Sequence, residues 1–508
     1  MRLLLLGGTA WLGGQIAGIA VERGHSVTAL ARGTSGPVPP GVHFVVADRD
    51  TPDTRDTPDI PDAYAAVPGE WDAVIDVTRH PGHVRGAASA LNERAAYFAL
   101  VSSSSVYAAN DTPGGTTTDP LLPPIDTDLM QGPEVYGEAK VACEQAALAG
   151  FGADRTLIAR AGLIGGPGDE SSRSGYWPWR FAHPGTPDGA VVVPDVPGLA
   201  TQVIDVRDLA GWLVDCCERR TAGIVDAVGE MMSLPEHLAV ARAVAGHQGQ
   251  VLRADPDWLV AQGIQHWSGE RSLPMWLPLP EYAGFMARAE APARAVGLHP
   301  RPLAQTLADA LAWEESRGAV TDRASGLSDD DASDLGELLP APAEISEALR
   351  VLHAAAARIS QRPLADLLAG FLSDGDFVTA LSRTPPQRPG KLLETIVALL
   401  ELAAPLRLLA PELNHDLLTT VVVLHGIGAT VAVAESQGSK AVAQLGVAAL
   451  SDQLLTERLA QRPDFPADLA IDLRHCILTA GNPALARTRE AGVLAALHSL
   501  LDAVTEKR

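Results

Sequence analysis

The first fourteen residues constrain the fold most. Four consecutive leucines, at residues 3–6, run straight into Gly7-Gly8-Thr9-Ala10-Trp11-Leu12-Gly13-Gly14. A short apolar run of that kind reads as a buried strand, and a glycine-rich turn that opens a helix reads as a phosphate cradle. Glycines there permit a tight turn and let backbone N–H groups approach a pyrophosphate closely. The helix N-terminus adds its partial positive charge.

The pattern continues. Residues 26–31, 43–47, 73–77, 97–102 and 156–160 are further short, β-branched or apolar runs separated by helical periodicity. Near-continuous apolar strands alternating with helices predict a parallel sheet covered on both faces, a doubly wound α/β fold with a small substrate lobe. Beyond that, the chain changes character. All nine Trp and all six Tyr lie at or before Trp313, and only Phe371, Phe377 and Phe465 are aromatic afterwards. Residues 318–342, rich in Asp, Ser, Gly and Pro, read as a solvated linker between a domain at 1–317 and another at 343–508. The latter shows helical periodicity only, over 343–360, 364–381, 391–409, 417–435, 440–461, 466–480 and 483–504, and predicts a separate all-α domain.

Composition narrows the function. The net charge of −23 over 508 residues argues against nucleic acid, whose phosphates demand clustered Lys and Arg. Four cysteines without a CxxC pair give neither a disulfide framework nor a zinc site. His415, His425 and His475 have no metal-ligand spacing, so no metal is expected. The apolar run at the start is shorter than a secretory core, which predicts a cytoplasmic protein. Residues 417–434 carry no Asp, Glu, Lys or Arg, yet hold His425, two glycines and three threonines. They read as a buried central helix, with no membrane partner.

Lysine is the most informative residue. Of four, at 140, 391, 440 and 507, Lys140 alone precedes residue 391, and it stands four positions after Tyr136. That spacing puts both side chains on one helical face. An ammonium one turn away favours a tyrosinate, the form a general acid/base needs. A hydroxyl donor is available in Ser102-Ser103-Ser104-Ser105, at the carboxyl end of the fifth strand. Arg32 ends the second strand where an acid would hold a ribose 2′-hydroxyl, which leans toward a 2′-phosphate and NADP over NAD. Asp48, after the third strand, is positioned for the adenine.

With these motifs in hand, residues 1–317 resemble an extended short-chain dehydrogenase/reductase of the NAD-dependent epimerase/dehydratase type. The segments Arg-Ala-Gly-Leu-Ile-Gly-Gly-Pro-Gly at 160–168 and Val-Ile-Asp-Val-Arg-Asp-Leu-Ala at 203–210 resemble later family segments. The resemblance implies Ser103, Tyr136 and Lys140 as the catalytic set, Ser103 being four residues before Tyr107 of the Val-Tyr pair. It implies cofactor contacts at Gly7, Thr9, Ala10, Trp11, Leu12, Gly13, Arg32, Asp48, Val77, Ser102, Tyr136 and Lys140. The family's middle glycine is Ala10 here, which should tighten the turn. Ser104, Tyr176, Trp177 and Arg180 are candidate substrate contacts, the last three equally readable as the core of the smaller lobe.

The function so implied is an NAD(P)-dependent reductase or epimerase acting on a small carbonyl or sugar-like substrate. Dehydration is the least favoured, because Ser104 and Ser105 stand where such an enzyme carries acids. The alternative is a cofactor-sensing regulatory protein whose helical half is its output. Residues 481–501 resemble one helix junction of an armadillo repeat, which implies a protein-binding or self-association surface.

Overall fold

The computed structural model describes residues 1–50, 63–318, 323–339, 342–385, 388–434, 438–480 and 482–505. Its contacts group into two compact units. One comprises Met1–Pro184, Val196–Gln248 and Gln265–Ser328; the other comprises Gly185–Asp195, Gly249–Ile264 and Asp329–Arg508.

In the first unit, the strands are β1 (Arg2–Leu6), β2 (Ser26–Ala31), β3 (His43–Val46), β4 (Ala73–Asp76), β5 (Phe98–Ser103) and β6 (Thr156–Ala161). Then come β7 (Leu163–Gly165), β8 (Val191–Pro194), β9 (Ala200–Asp205), β10 (Gly223–Ala227), β11 (Met231–Ser233) and β12 (Val251–Ala254), of which β8 and β12 lie in the second unit. The helices that bear on the argument are α1 (Trp11–Glu22), α2 (Pro81–Leu91), α3 (Tyr136–Phe151), α4 (Tyr176–Ala182), α5 (Val206–Arg219) and α6 (Leu234–Val244).

Seven strands form one sheet in the order β10-β6-β5-β4-β1-β2-β3, every pair parallel. The chain winds outward from β1 in one direction through β3, then returns beside β1 as β4 and winds the other way. That reversal makes the β1/β4 crevice the place where such sheets bind ligands. The alternation along β1 explains the run of leucines. Leu3 and Leu5 pack with Ile16, Ala17 and Leu213 on one face, and Leu4 and Leu6 pack with Val84, Leu91 and Phe151 on the other.

The expected strands form within a residue or so of their sequence bounds, but two features differ. Strand β10 was not anticipated, because Gly-Ile-Val-Asp-Ala is short and broken by Asp226, whose carboxylate is buried against Arg288. Residues 32–42 join the parallel strands β2 and β3 without a helix.

In the second unit, Leu364, Leu368, Leu393, Val421, Leu424, Leu455 and Leu473 share one core. Four of the long helices expected there are shorter pieces. Asp374 caps a new start at Phe377 N, so 364–381 becomes Arg362–Leu372 and Gly375–Ser382. Pro405 ends Lys391–Ala403 before Leu406–Leu409, and Gly446, with φ +81°, separates Gly438–Leu445 from Val447–Ala460. A proline and a left-handed glycine are the ordinary reasons for such stops. The segment His415–Val433 is long and apolar enough to cross a membrane, and 78% of it is buried inside the structure. It is also interrupted, as His415–Leu424 followed by a 3₁₀ turn, Ile427–Thr430.

The stretch read as a linker contains the helix Asp329–Leu338, with three acids in its first turn where the helix dipole favours them. This unit is not purely helical either. It takes in β8 and β12, a parallel two-stranded ribbon, which periodicity in the C-terminal half could not reveal because both strands come from the first half of the sequence.

Candidate active site

The glycine turn is built as a cradle. Gly7 has φ +98° and donates its N–H to Leu30 O at 2.9 Å, and a Cβ there would lie 2.7 Å from Val77 Cγ2. At Gly13 a Cβ would lie 2.3 Å from Gly7 O, so only glycine lets α1 start this close to β1. Ala10 is the helix N-cap in an extended conformation; no side chain caps the helix and no acid sits in its first turn. The N-terminal amides are thus left for an anion. Trp11 Nε1 donates to Pro167 O at 2.9 Å, fastening the turn to the segment after β7. Leu12 packs on the sheet and Gly13 is buried, so the turn meets the adjoining cleft through Thr9, Ala10 and Trp11.

At the ends of β2, β3 and β4 lies an ionic cluster that the sequence reading captured only at its edges. Arg32 is exposed and pairs with Asp50 at 3.2 Å. Asp50 also accepts from His83 Nε2 at 2.6 Å, and His83 Nδ1 lies 2.8 Å from Thr78 Oγ1. Burial pushes the Asp50 carboxyl up, but its bond to His83 and the charges of His83, His80 and Arg32 outweigh this and hold it low. Beneath, Arg49 grips Asp76 through two bonds, of 2.8 and 3.1 Å. Asp48 caps its own loop, its Oδ1 accepting from Asp50 N at 3.0 Å.

The catalytic candidates converge on one cleft of about 1160 Å³, within the first unit. Ser103 ends β5 and Tyr136 begins α3, and both line it, as do Ser104 and Ser105. Ser103 Oγ accepts from Ser105 N at 3.1 Å and lies 3.2 Å from Ser105 Oγ. Lys140 is buried, its Nζ 5.8 Å from the Tyr136 ring centre. Its ammonium donates to Thr78 O at 2.6 Å and Val101 O at 2.7 Å. Those two carbonyls, one after β4 and one on β5, fix the charge below the cleft floor.

Ser102 is different. Strand alternation turns it away from the cleft, and its hydroxyl donates to Glu144 at 2.6 Å. Glu144 in turn holds Arg160 through bonds of 2.8 and 3.0 Å, and Arg160 donates to the Tyr107 hydroxyl at 3.0 Å. Tyr107 donates to Asp226 at 2.6 Å, and Arg288 donates to the other Asp226 oxygen. This buried chain lies behind the serine run and was not foreseen, since its members are scattered from residue 102 to 288.

Of the four substrate candidates, only Ser104 lines the cleft. Tyr176, Trp177 and Arg180 are core residues of α4, each at most 2% exposed. Trp177 Nε1 donates to Pro274 O at 2.7 Å, and Arg180 donates to Leu327 O at 2.5 Å. Trp11, Arg173, Trp267, Phe285 and Trp313 line the cleft instead. All five lie outside the aromatic stretch 175–181 on which the sequence expectation rested, Arg173 just ahead of it.

No protein-family model matches the chain, and no curated protein matches it. Solved structures do. A candidate epimerase from Burkholderia cenocepacia is 24% identical, with 63% of this chain and 98% of that one covered and a TM-score of 0.45. The Bordetella bronchiseptica enzyme WbmH, solved with NAD+, is 15% identical over 63% and 99% of the two chains, with a TM-score of 0.44. UDP-N-acetylglucosamine 4-epimerase from Bacillus cereus is 14% identical over 64% and 100%, also at 0.44. The chain is similar to these three structures. The chain's own strand order and parallel pairing define a doubly wound parallel α/β fold.

Proposed function

We propose that the chain is an NAD- or NADP-dependent enzyme of the epimerase/dehydratase type, acting as a reductase or epimerase on a small carbonyl or sugar-like substrate. One observation carries this reading. A single cleft has the uncapped glycine turn at one end and Ser103 and Tyr136 on its wall, over the buried Lys140 ammonium. A nicotinamide dinucleotide fits these residues, because the cradle at Gly7 and Gly13 is one that a Cβ would fill. Bound there, it would supply hydride transfer.

The chain's own residues do the rest. Amides of the turn and the start of α1 hold the pyrophosphate. Lys140 spends two of its three protons on Thr78 O and Val101 O, leaving the third for a ribose hydroxyl or the Tyr136 oxygen. Ser103 donates to the substrate oxygen, and the Tyr136 hydroxyl gives or takes the proton there. Ser104 and Ser105, beside Ser103, carry no acid to expel water, so elimination is the least supported outcome.

Fluorescence titration with NADH and NADPH, joined to turnover assays on a carbonyl panel, tests the proposal. Micromolar binding of at least one cofactor is expected. Tyr136→Phe should keep that affinity while turnover falls by about 10²–10⁴-fold. Absence of binding at millimolar cofactor overturns the proposal. Binding with turnover untouched by Tyr136→Phe favours the cofactor-sensing alternative.

A further inference from the structure

Arg173 stands out among the arginines of the first unit. Arg49, Arg160 and Arg288 are buried and each is held by a carboxylate, Asp76, Glu144 and Asp226 respectively. Arg173 is half-buried on the wall of the cleft, and its one side-chain hydrogen bond among the described residues runs from Nε to Ser171 Oγ, at 3.0 Å. Its terminal nitrogens have no carboxylate partner there, in a chain with 62 acids against 39 bases. The neighbouring Asp169 does not serve, because both its oxygens are occupied by the backbone and hydroxyls of Ser171 and Ser174. Burial lowers the pKa of Arg173 below the ordinary arginine value, against the pull of Asp169 and Tyr136. A partly desolvated guanidinium with no carboxylate in contact with its terminal nitrogens leaves those donors open to an anion.

The surroundings are equally specific. The guanidinium lies 5.1 Å from the Trp267 ring centre, and Trp267 meets Phe285 edge-to-face at 5.6 Å. Trp267 has φ +69°, a left-handed conformation that a bulky side chain adopts only where its surroundings compel it. The other guanidinium on the cleft, Arg79, is exposed and follows β4, whose end is paired with the end of β1, so it belongs to the glycine-turn end.

We infer that the substrate carries one oxyanion, a carboxylate or a phosphate, that Arg173 receives, and a flat apolar body that lies against Trp267 and Phe285. The inference rests on the reading of this cleft as a nicotinamide-dependent active site, and it names the substrate class for it.

Calorimetric titration with 2-naphthoate, 2-naphthyl phosphate and 2-naphthamide tests it, with and without saturating NADH or NADPH. At least one anion should bind about tenfold or more tighter than the amide, and which anion it is distinguishes carboxylate from phosphate. Arg173→Met should weaken that anion by about ten- to a hundredfold, leaving amide and cofactor affinities unchanged. Arg173→Lys should retain part of the preference. The inference is overturned if no probe binds, if the amide binds as well as both anions, or if Arg173→Met matches the parent protein. It is also overturned if that variant loses amide and cofactor together, which would make Arg173 a structural residue. Cofactor binding with anion affinity unmoved in Arg173→Met sinks this inference alone. Arg173-dependent anion binding in a protein that takes neither cofactor sinks the cofactor reading alone.

Discussion

The two units bury different things. In the first, Asp76, Lys140, Glu144, Arg160, Asp226 and Arg288 all lie inside with their charges. In the second, the described core is mostly Leu, Ile and Val, and its one buried carboxylate among the described residues, Asp416, caps the 360–361 turn by accepting from the Ser360 and Gln361 N–H groups. Aliphatic side chains stabilise simply by leaving water. Charges do not, because the desolvation they suffer rivals what pairing returns. Where they are kept, geometry is the gain, and here they lie behind the strand end that carries Ser103 and the α3 helix that carries Lys140.

The largest expected effect separates stability from geometry. Glu144→Gln leaves the buried Arg160 guanidinium without its counter-charge and weakens the charge-assisted bond that Ser102 donates. It should cost about 3–5 kcal/mol in denaturant unfolding. Pairing Glu144→Leu with Arg160→Met should recover most of that stability, since a buried ion pair often breaks even with apolar side chains. Turnover should nonetheless stay depressed, with cofactor affinity kept, because Ser102 no longer anchors the strand end beside Ser103. A double variant that regains full turnover would show the pair to be structural only.

What the sequence made legible follows the same division. The leucine run, the glycine turn and the Tyr136/Lys140 spacing are local signals, each read within a window of a few residues; the structure puts Thr9, Ala10, Trp11 and Tyr136 on one cleft, with the leucines in the sheet core and Lys140 buried near Tyr136. The Ser102–Glu144–Arg160–Tyr107–Asp226 chain is not local: it depends on which strands neighbour one another, and no periodicity encodes that. The aromatic stretch 175–181 misled for a related reason. Aromatics and an arginine at helical spacing fit a pocket or a core equally well. Only tertiary packing turns Arg180 inward onto backbone carbonyls, while Arg173, seven residues earlier, faces the cleft. In the helical region, apolar periodicity passed unbroken through Asp374, Pro405 and Gly446, whose turn chemistry divides the helices.

Acid should act on both units alike, which gives the second test. Each buries one histidine that is held neutral at about 4, His237 by desolvation, His425 by desolvation and the charge of His498. The unfolded chain protonates its histidines near 6.5. Below that value the unfolded state takes up a proton that the native state refuses, so stability is full above pH 6.5 and is lost as pH falls toward 4. Each histidine should account for about 3 kcal/mol across that window. Urea unfolding at pH 7 and pH 4.5 would measure it, and His425→Asn should flatten the slope by about one proton. A slope unchanged in that variant would mean that His425 is protonated in the native state, shared with His498 Nε2 at 3.0 Å.

The smallest effect concerns Arg32, the residue on which the lean toward NADP rests. In the sheet unit's interior, an ion pair fixes geometry; at the exposed end of β2, the pair between Arg32 and Asp50 is wet, and such pairs contribute about 0–1 kcal/mol. Asp50 is held more firmly by His83, at 2.6 Å and part-buried, than by Arg32. A 2′-phosphate could therefore draw Arg32 away at little cost, but Asp50 would still face it at close range. The two contributions nearly cancel, and Arg32→Ala should lower NADPH affinity by only about threefold while leaving NADH unchanged. Asp50→Asn should do the reverse and favour NADPH by a similar factor, because it removes the repulsion and frees the guanidinium. A hundredfold loss of NADPH in Arg32→Ala would mean that Arg32 leaves Asp50 entirely for the phosphate. Parallel losses of both cofactors in Arg32→Ala would instead place the residue with the buried, position-setting charges from which it is distinguished by its exposure.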